Sequence, residues 1–298
     1  MKRILILISL LPFLVLGRAA VAEEVKTSSG DLTLNANLEK TQSWPGGPVV
    51  LLTHGTLAHR GMEIISGLQA MLSEREISSL AINLSLGIDD RPAAMYDCPT
   101  PHTHKHTDAV EEIGAWVGWL KEQGAERVLL LGHSRGGNQV ARYAAGQPDS
   151  LVKDVILLAP QTWEAPQAAE GYLKRYKTPL QAQVAKANEL VSSGKGSELM
   201  GPMGFIYCED TMASATSVLS YYAPDRDMDT PQLLSRIDVP VMVIAGSEDK
   251  VVTALIRKTE PLADGEKIEL TVIDGADHFF RDLYAEEVAD LLEERVAE

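Results

Sequence analysis

The sequence predicts an α/β fold in which a mostly parallel central sheet carries helices on both faces. Two observations lead there. From Val49 onward, short apolar runs alternate with segments of helical period, and that alternation is what parallel strands joined by crossover helices require. Between Gln161 and Asp238 the alternation stops, and it resumes afterwards, as in one domain interrupted by an insertion.

Taken in order, Leu32, Leu34, Ala36 and Leu38 alternate with polar residues, the pattern of a half-exposed strand near a sheet edge. Residues 49–53 form an apolar strand, 62–72 have helical spacing, and 79–84 are again mostly apolar. Asp108 with Glu111 three residues on marks a helix start, and Val110, Ile113, Val117 and Leu120 make its apolar face. Trp116 and Trp119 on that helix read as packing. Strand 128–131, helix 138–145 and strand 155–159 follow, then strands 239–245 and 268–273 and a final helix with Leu283, Val288, Leu291 and Leu292. Residues 162–238 read as polar helical segments broken by glycines, placed to become a helical lid over a pocket at the carboxyl ends of the strands.

Residues 1–22 have the layout of a secretory signal peptide: Lys2 and Arg3, an apolar run too short for the ~20 residues of a spanning helix, and the small-residue site Ala20-Val21-Ala22. The expectation is an exported, periplasmic or secreted protein whose catalytic domain is 23–298, with no membrane span after cleavage. A net charge of −15, from 42 Asp+Glu against 27 Lys+Arg, argues against nucleic acid or anionic lipid as a partner. The two cysteines, Cys98 and Cys208, are a candidate disulfide in an oxidising compartment, with two unpaired thiols as the alternative.

The chemistry is concentrated in three segments. Gly132-His133-Ser134-Arg135-Gly136 directly follows a strand and opens a helix, the G-x-S-x-G elbow that presents a serine hydroxyl on a tight turn. A serine hydroxyl needs a base and a group to orient that base. Gly246-Ser247-Glu248-Asp249 and Gly275-Ala276-Asp277-His278, each after a strand, supply both. His102, His104 and His106 alternate in one stretch, so three imidazoles could share a side and meet a metal; the plainer reading is a solvated loop at the pocket mouth.

Together these motifs resemble the α/β-hydrolase family, its esterase and lipase-like members in particular, over most of the chain after residue 22. The resemblance implies an α/β-hydrolase fold, Ser134 as nucleophile, His278 as general base and acid, and Asp249 as the carboxylate that orients the imidazole, with Glu248 and Asp277 as rival carboxylates. It also implies oxyanion donors at the backbone N–H groups of Thr56, in Thr53-His54-Gly55-Thr56, and Arg135, with His54 bracing the turn. Tyr221 and Tyr222 are expected to line the pocket beside the three histidines. No cofactor or metal is expected, the partner is a small-molecule acyl substrate, and oligomeric state is left open. The expected activity is carboxylester hydrolysis. Peptide or amide hydrolysis with the same triad, a non-catalytic binding protein of this fold, and a hydrolase using a metal on the three histidines are the alternatives.

Overall fold

A computed structural model describes residues 22–146 and 148–297. The apolar run of the expected export signal lies outside the described residues. The chain runs β1 (Glu23–Ser29), β2 (Leu32–Glu39), β3 (Val49–Thr53), α1 (Glu63–Glu74), β4 (Ser78–Asn83), α2 (Asp108–Glu122), β5 (Val128–His133), α3 (Arg135–Ala145) and β6 (Val152–Leu158). After an insertion come β9 (Val241–Gly246), α7 (Leu255–Thr259), β10 (Ile268–Ile273) and α8 (Leu283–Ala297). The insertion itself contains α4 (Ala165–Tyr176), α5 (Leu180–Ser192), β7 (Leu199–Phe205), β8 (Cys208–Ser214) and α6 (Ala215–Tyr222).

The main sheet has eight strands in the order β1-β2-β4-β3-β5-β6-β9-β10; β1 and β2 are antiparallel additions and every other pairing is parallel. The central strands β3, β5 and β9 are buried along their whole length, because helices cover both faces, and this is why they read as uninterrupted apolar runs. Helix α1 packs against α8 and α2 against α3. Among the described residues no helix is long and apolar enough to cross a membrane.

The alternating stretch at Leu32 to Leu38 lies near the sheet edge as expected, second from it, and the edge itself is β1, whose charged and small residues carry no strand pattern. One expectation needs correction: the insertion contains more than helices. β7 and β8 pair antiparallel through a turn at Ile206 and Tyr207, both at positive φ (34° and 78°). Neither turn residue is the glycine or asparagine that usually signals such a turn, and Gly201, Pro202 and Gly204 disguise β7.

The hairpin is fastened to the long loop between β4 and α2. Cys98 and Cys208 are joined by a disulfide across a sequence separation of 110, a loop length for which chain-entropy reasoning gives ~4–5 kcal/mol of stabilisation. The loop adds one bridge to β8: the His102 N–H donates to the Met212 carbonyl (2.8 Å) and the Ser214 N–H to the His102 carbonyl (2.9 Å). Its upstream half is pinned by buried Arg91, whose guanidinium donates to the carbonyls of Leu84 (2.7 Å), Ala94 (2.9 Å) and Ala58 (2.7 Å).

Beside this loop, Glu112 of α2 is buried and accepts from the N–H (2.8 Å) and hydroxyl (2.5 Å) of Ser85. Burial outweighs these hydrogen bonds and lifts its pKa from 4.5 to about 7. Because the folded value lies above the ordinary one, the native state binds this proton more tightly and stability falls as pH rises from about 4.5 through 7. Glu112→Gln, which keeps an acceptor for the Ser85 N–H, removes that loss. Thermal melts from pH 4.5 to 8 should show wild-type stability declining relative to the variant, by a few kcal/mol at ~1.4 kcal/mol per pKa unit. Parallel pH curves would contradict the assignment.

Candidate active site

Three glycines let β5, α3 and β3 meet at distances no side chain tolerates. A Cβ on Gly132 would lie 2.4 Å from the Gly136 carbonyl oxygen, and one on Gly136 would lie 2.3 Å from the His54 carbonyl oxygen. Gly137 is closed in by the Gly132 carbonyl and by Pro160, each 2.9 Å from its would-be Cβ. Between them Ser134 is held at φ 56°, ψ −120°, outside the regions an L-residue prefers, so the strain is retained by its surroundings. Its N–H donates to the Leu158 carbonyl (2.9 Å) and its carbonyl accepts from Gly137 (3.0 Å) and Gln161 (2.9 Å). The turn between β5 and α3 therefore fixes the direction of Oγ.

That hydroxyl lies 2.9 Å from His278 Nε2, and His278 Nδ1 lies 2.7 Å from Asp249 Oδ2. Asp249 follows β9 and His278 follows β10, neighbouring parallel strands whose carboxyl ends converge here. Burial pushes the Asp249 carboxyl up, but the bond from His278 and the N–H groups of Val252 and Val251 outweigh it and hold it below its ordinary value. The rival carboxylates lie elsewhere: Glu248 pairs with Lys250 at 2.8 Å and Asp277 accepts the Phe279 N–H at 2.8 Å.

The Gly55-Thr56 turn lies against the serine, since a Cβ on Gly55 would be 3.3 Å from Ser134 Cβ. The backbone N–H groups of Thr56 and Arg135 have no acceptor among the described residues. The Arg135 side chain joins the two positions, with Nε donating to Thr56 Oγ1 at 2.9 Å. Behind them His54 accepts from the Leu84 N–H (3.1 Å) at Nε2 and donates from Nδ1 to its neighbour's carbonyl (2.9 Å). Burial lowers its pKa to about 3, so it stays neutral and braces the turn.

Nothing in the motif singles out His133, because that position of G-x-S-x-G accepts any residue. Its Nε2 lies 2.9 Å from the carbonyl of His278, so the strand bearing the serine holds the loop bearing the imidazole. Burial lowers its pKa to about 4, leaving a neutral ring whose Nε2–H donates.

The histidine segment differs from both expectations. His102, His104 and His106 are buried, not solvated. Their nitrogens do not converge on one point: His102 Nδ1 is 3.1 Å from His104 Nε2, His104 Nδ1 is 2.8 Å from the Tyr221 hydroxyl, and His106 Nε2 is 2.7 Å from Asn138 Oδ1. Among the described residues no group of three or more His, Cys, Asp or Glu is placed to hold a metal ion. The burial comes from β7–β8 and α6 folding over the loop, which sequence spacing does not reveal. The two cavities nearest the serine are lined by other residues. The cavity of ≈ 190 Å³ under the insertion is walled by Arg135, Tyr221 and Tyr222, while a smaller one of ≈ 10 Å³ lies at Gly55 and Thr56. Arg135, Ile206 and Tyr221 line both, so Arg135, next to the serine, connects them.

Residues 49–291 match the model of the alpha/beta hydrolase family. The chain belongs to the α/β-hydrolase family. Among solved structures, this α/β-hydrolase is similar to Est1E from Butyrivibrio proteoclasticus with ferulic acid bound (TM-score 0.63, 18% identity, covering 92% of this chain and 98% of that one). It is also similar to a Paleococcus ferrophilus monoacylglycerol lipase (TM-score 0.59, 21% identity, 88% and 98%) and to the α/β-hydrolase GrgF from a Penicillium species (TM-score 0.64, 16% identity, 93% and 97%). A sequence comparison with curated proteins returns no match.

The close approach at the elbow predicts opposite effects for two glycines. Gly136→Ala must displace backbone and should lower the melting temperature by several degrees or abolish folding. Gly118→Ala, inside α2 with nothing within 4 Å of the added methyl, should gain about 0.5–1 kcal/mol from helix propensity. Equal melting temperatures for both variants would contradict the packing.

Proposed function

We propose that this α/β-hydrolase is an exported serine esterase that cleaves carboxylesters of small molecules through a covalent intermediate on Ser134. The observation that carries the reading is the hydrogen-bonded series Ser134 Oγ, His278 Nε2 and His278 Nδ1, Asp249 Oδ2, at 2.9 and 2.7 Å. In this reading the Ser134 oxygen attacks the ester carbonyl carbon while His278 Nε2 takes its proton. The carbonyl oxygen becomes an oxyanion facing the N–H groups of Thr56 and Arg135. Collapse breaks the bond to the alcohol, which leaves with the proton from His278. Water then attacks the acyl-serine, gives its proton to His278, and the serine oxygen departs and recovers it. The balance is ester plus water to acid plus alcohol. Asp249, ionised, keeps the Nδ1–H tautomer and stabilises the imidazolium that forms at each step.

Esters as substrates are supported by similarity in fold to structures described as esterases and a monoacylglycerol lipase. Export is supported by the charged, apolar and small-residue layout of residues 1–22 and by a disulfide of the kind oxidising compartments maintain.

A fluorophosphonate probe read by intact mass tests the reading. One adduct is expected on the wild-type protein and none on Ser134→Ala, with His278→Ala labelling far more slowly. Turnover of short-chain aryl esters should fall at least about a thousandfold in Ser134→Ala. Absence of any adduct would overturn the serine mechanism, and faster cleavage of aminoacyl amides than of esters would move the activity to a peptidase.

A further inference from the structure

The cavity under the insertion has an unusual charge. In a chain with 42 acidic and 27 basic side chains, no aspartate or glutamate lines it, yet Arg135 and Arg175 both do. Elsewhere arginines reach carboxylates: Arg60 pairs with Glu24, Arg75 with Glu286 at 3.0 Å, and Arg142 with Asp225. Neither cavity arginine has a carboxylate within ion-pair distance among the described residues. The Arg175 guanidinium carbon lies 4.6 Å from the centre of the Tyr207 ring, and its N–H groups have no acceptor among the described residues. Arg135 lies 5.2 Å above the Tyr221 ring; Nε donates to Thr56 Oγ1 and one terminal nitrogen is 3.4 Å from His106 Nδ1. Its other terminal nitrogen has no acceptor among the described residues. Trp163 and Tyr222 complete the aromatic wall.

Two guanidinium groups without counter-ions in a cavity with aromatic walls, one of them on the residue that follows Ser134, are suited to a planar anion on an aromatic or unsaturated body. We propose that this cavity binds a carboxylate carried by the substrate, so that the enzyme selects esters bearing a free carboxylate over neutral esters of equal length. This rests on the esterase reading for its catalytic part, and the binding of the anion can be measured apart from it. Arg175, exposed on α4 and making no contact with the triad, is the residue to change.

Isothermal titration of the purified protein with hydrocinnamate and with hydrocinnamyl alcohol compares an anion with a neutral molecule of nearly the same shape. The acid is expected to bind about tenfold tighter, and Arg175→Met to lose most of that difference. In steady-state hydrolysis, monomethyl adipate should have the lower KM against methyl hexanoate. Arg175→Met should raise the adipate KM about tenfold and leave kcat/KM on methyl hexanoate within about twofold. Equal affinity for the acid and the alcohol, or an Arg175→Met variant with unchanged discrimination, would overturn the anion site. Equal turnover of the two esters, with no preference for the acid in titration, would retain the serine esterase and remove only this inference. Preferential binding of hydrocinnamate with neither ester hydrolysed would retain the anion site and remove the esterase.

Discussion

The contact between the backbone of Gly136 and the carbonyl of His54 is the constraint on which the site depends. At 2.3 Å for a would-be Cβ, it brings the start of α3 against the end of β3 more closely than any other residue type permits. The same approach places Gly55 and Thr56 beside the serine and forces Ser134 to positive φ. Strain of this kind persists only where the surroundings hold it, and here three backbone hydrogen bonds to Leu158, Gly137 and Gln161 do so. The hydroxyl is therefore aimed at His278 before any substrate arrives, which reduces the reorganisation a reaction at that hydroxyl would require.

Around the elbow, the polar residues buried in the fold are mostly braces. His54, Arg91 and Asn83 share hydrogen bonds, with Arg91 donating to Asn83 Oδ1 at 2.8 Å and lying 3.2 Å from His54 Nε2, so the turn after β3 and the long loop after β4 are held as one unit. Burial lowers the Arg91 pKa only to about 10, so it remains a cation at neutral pH, surrounded by carbonyl acceptors. The same loop continues through the disulfide into the hairpin and through His106 to Arg135. The covering insertion is thus mechanically continuous with Arg135, the residue that follows Ser134.

The sheet was legible in the sequence because strands buried on both faces are mostly apolar, as residues 49–52 of β3 and 128–131 of β5 are. That Ser134, Asp249 and His278 would lie near one another was legible for a related reason: each follows such a strand, and the parallel order brings the carboxyl ends together. The edge strand β1 was not legible, since one charged, half-exposed strand has no core to record in its sequence. The β7–β8 hairpin was hidden by a turn that uses Ile206 and Tyr207 at positive φ where glycine or asparagine is the usual signal. The histidine run looked like a surface loop or a metal site because its cover lies more than a hundred residues away in sequence, at Tyr221 and β8. His133 acts through one hydrogen bond to a backbone carbonyl and Arg91 through three, and such contacts leave no pattern for periodicity to detect.

A crystal structure of the protein after reaction with a small phosphonate inhibitor tests the central claim, that a preset elbow delivers Ser134 between His278 and two backbone donors. The account predicts phosphorus bonded to Ser134 Oγ, its unesterified oxygen about 2.7–3.1 Å from the N–H nitrogens of both Thr56 and Arg135, and an elbow unchanged in φ and ψ. An adduct whose oxygen faces solvent, or an elbow that relaxes to ordinary dihedrals while the imidazole moves away, would contradict it.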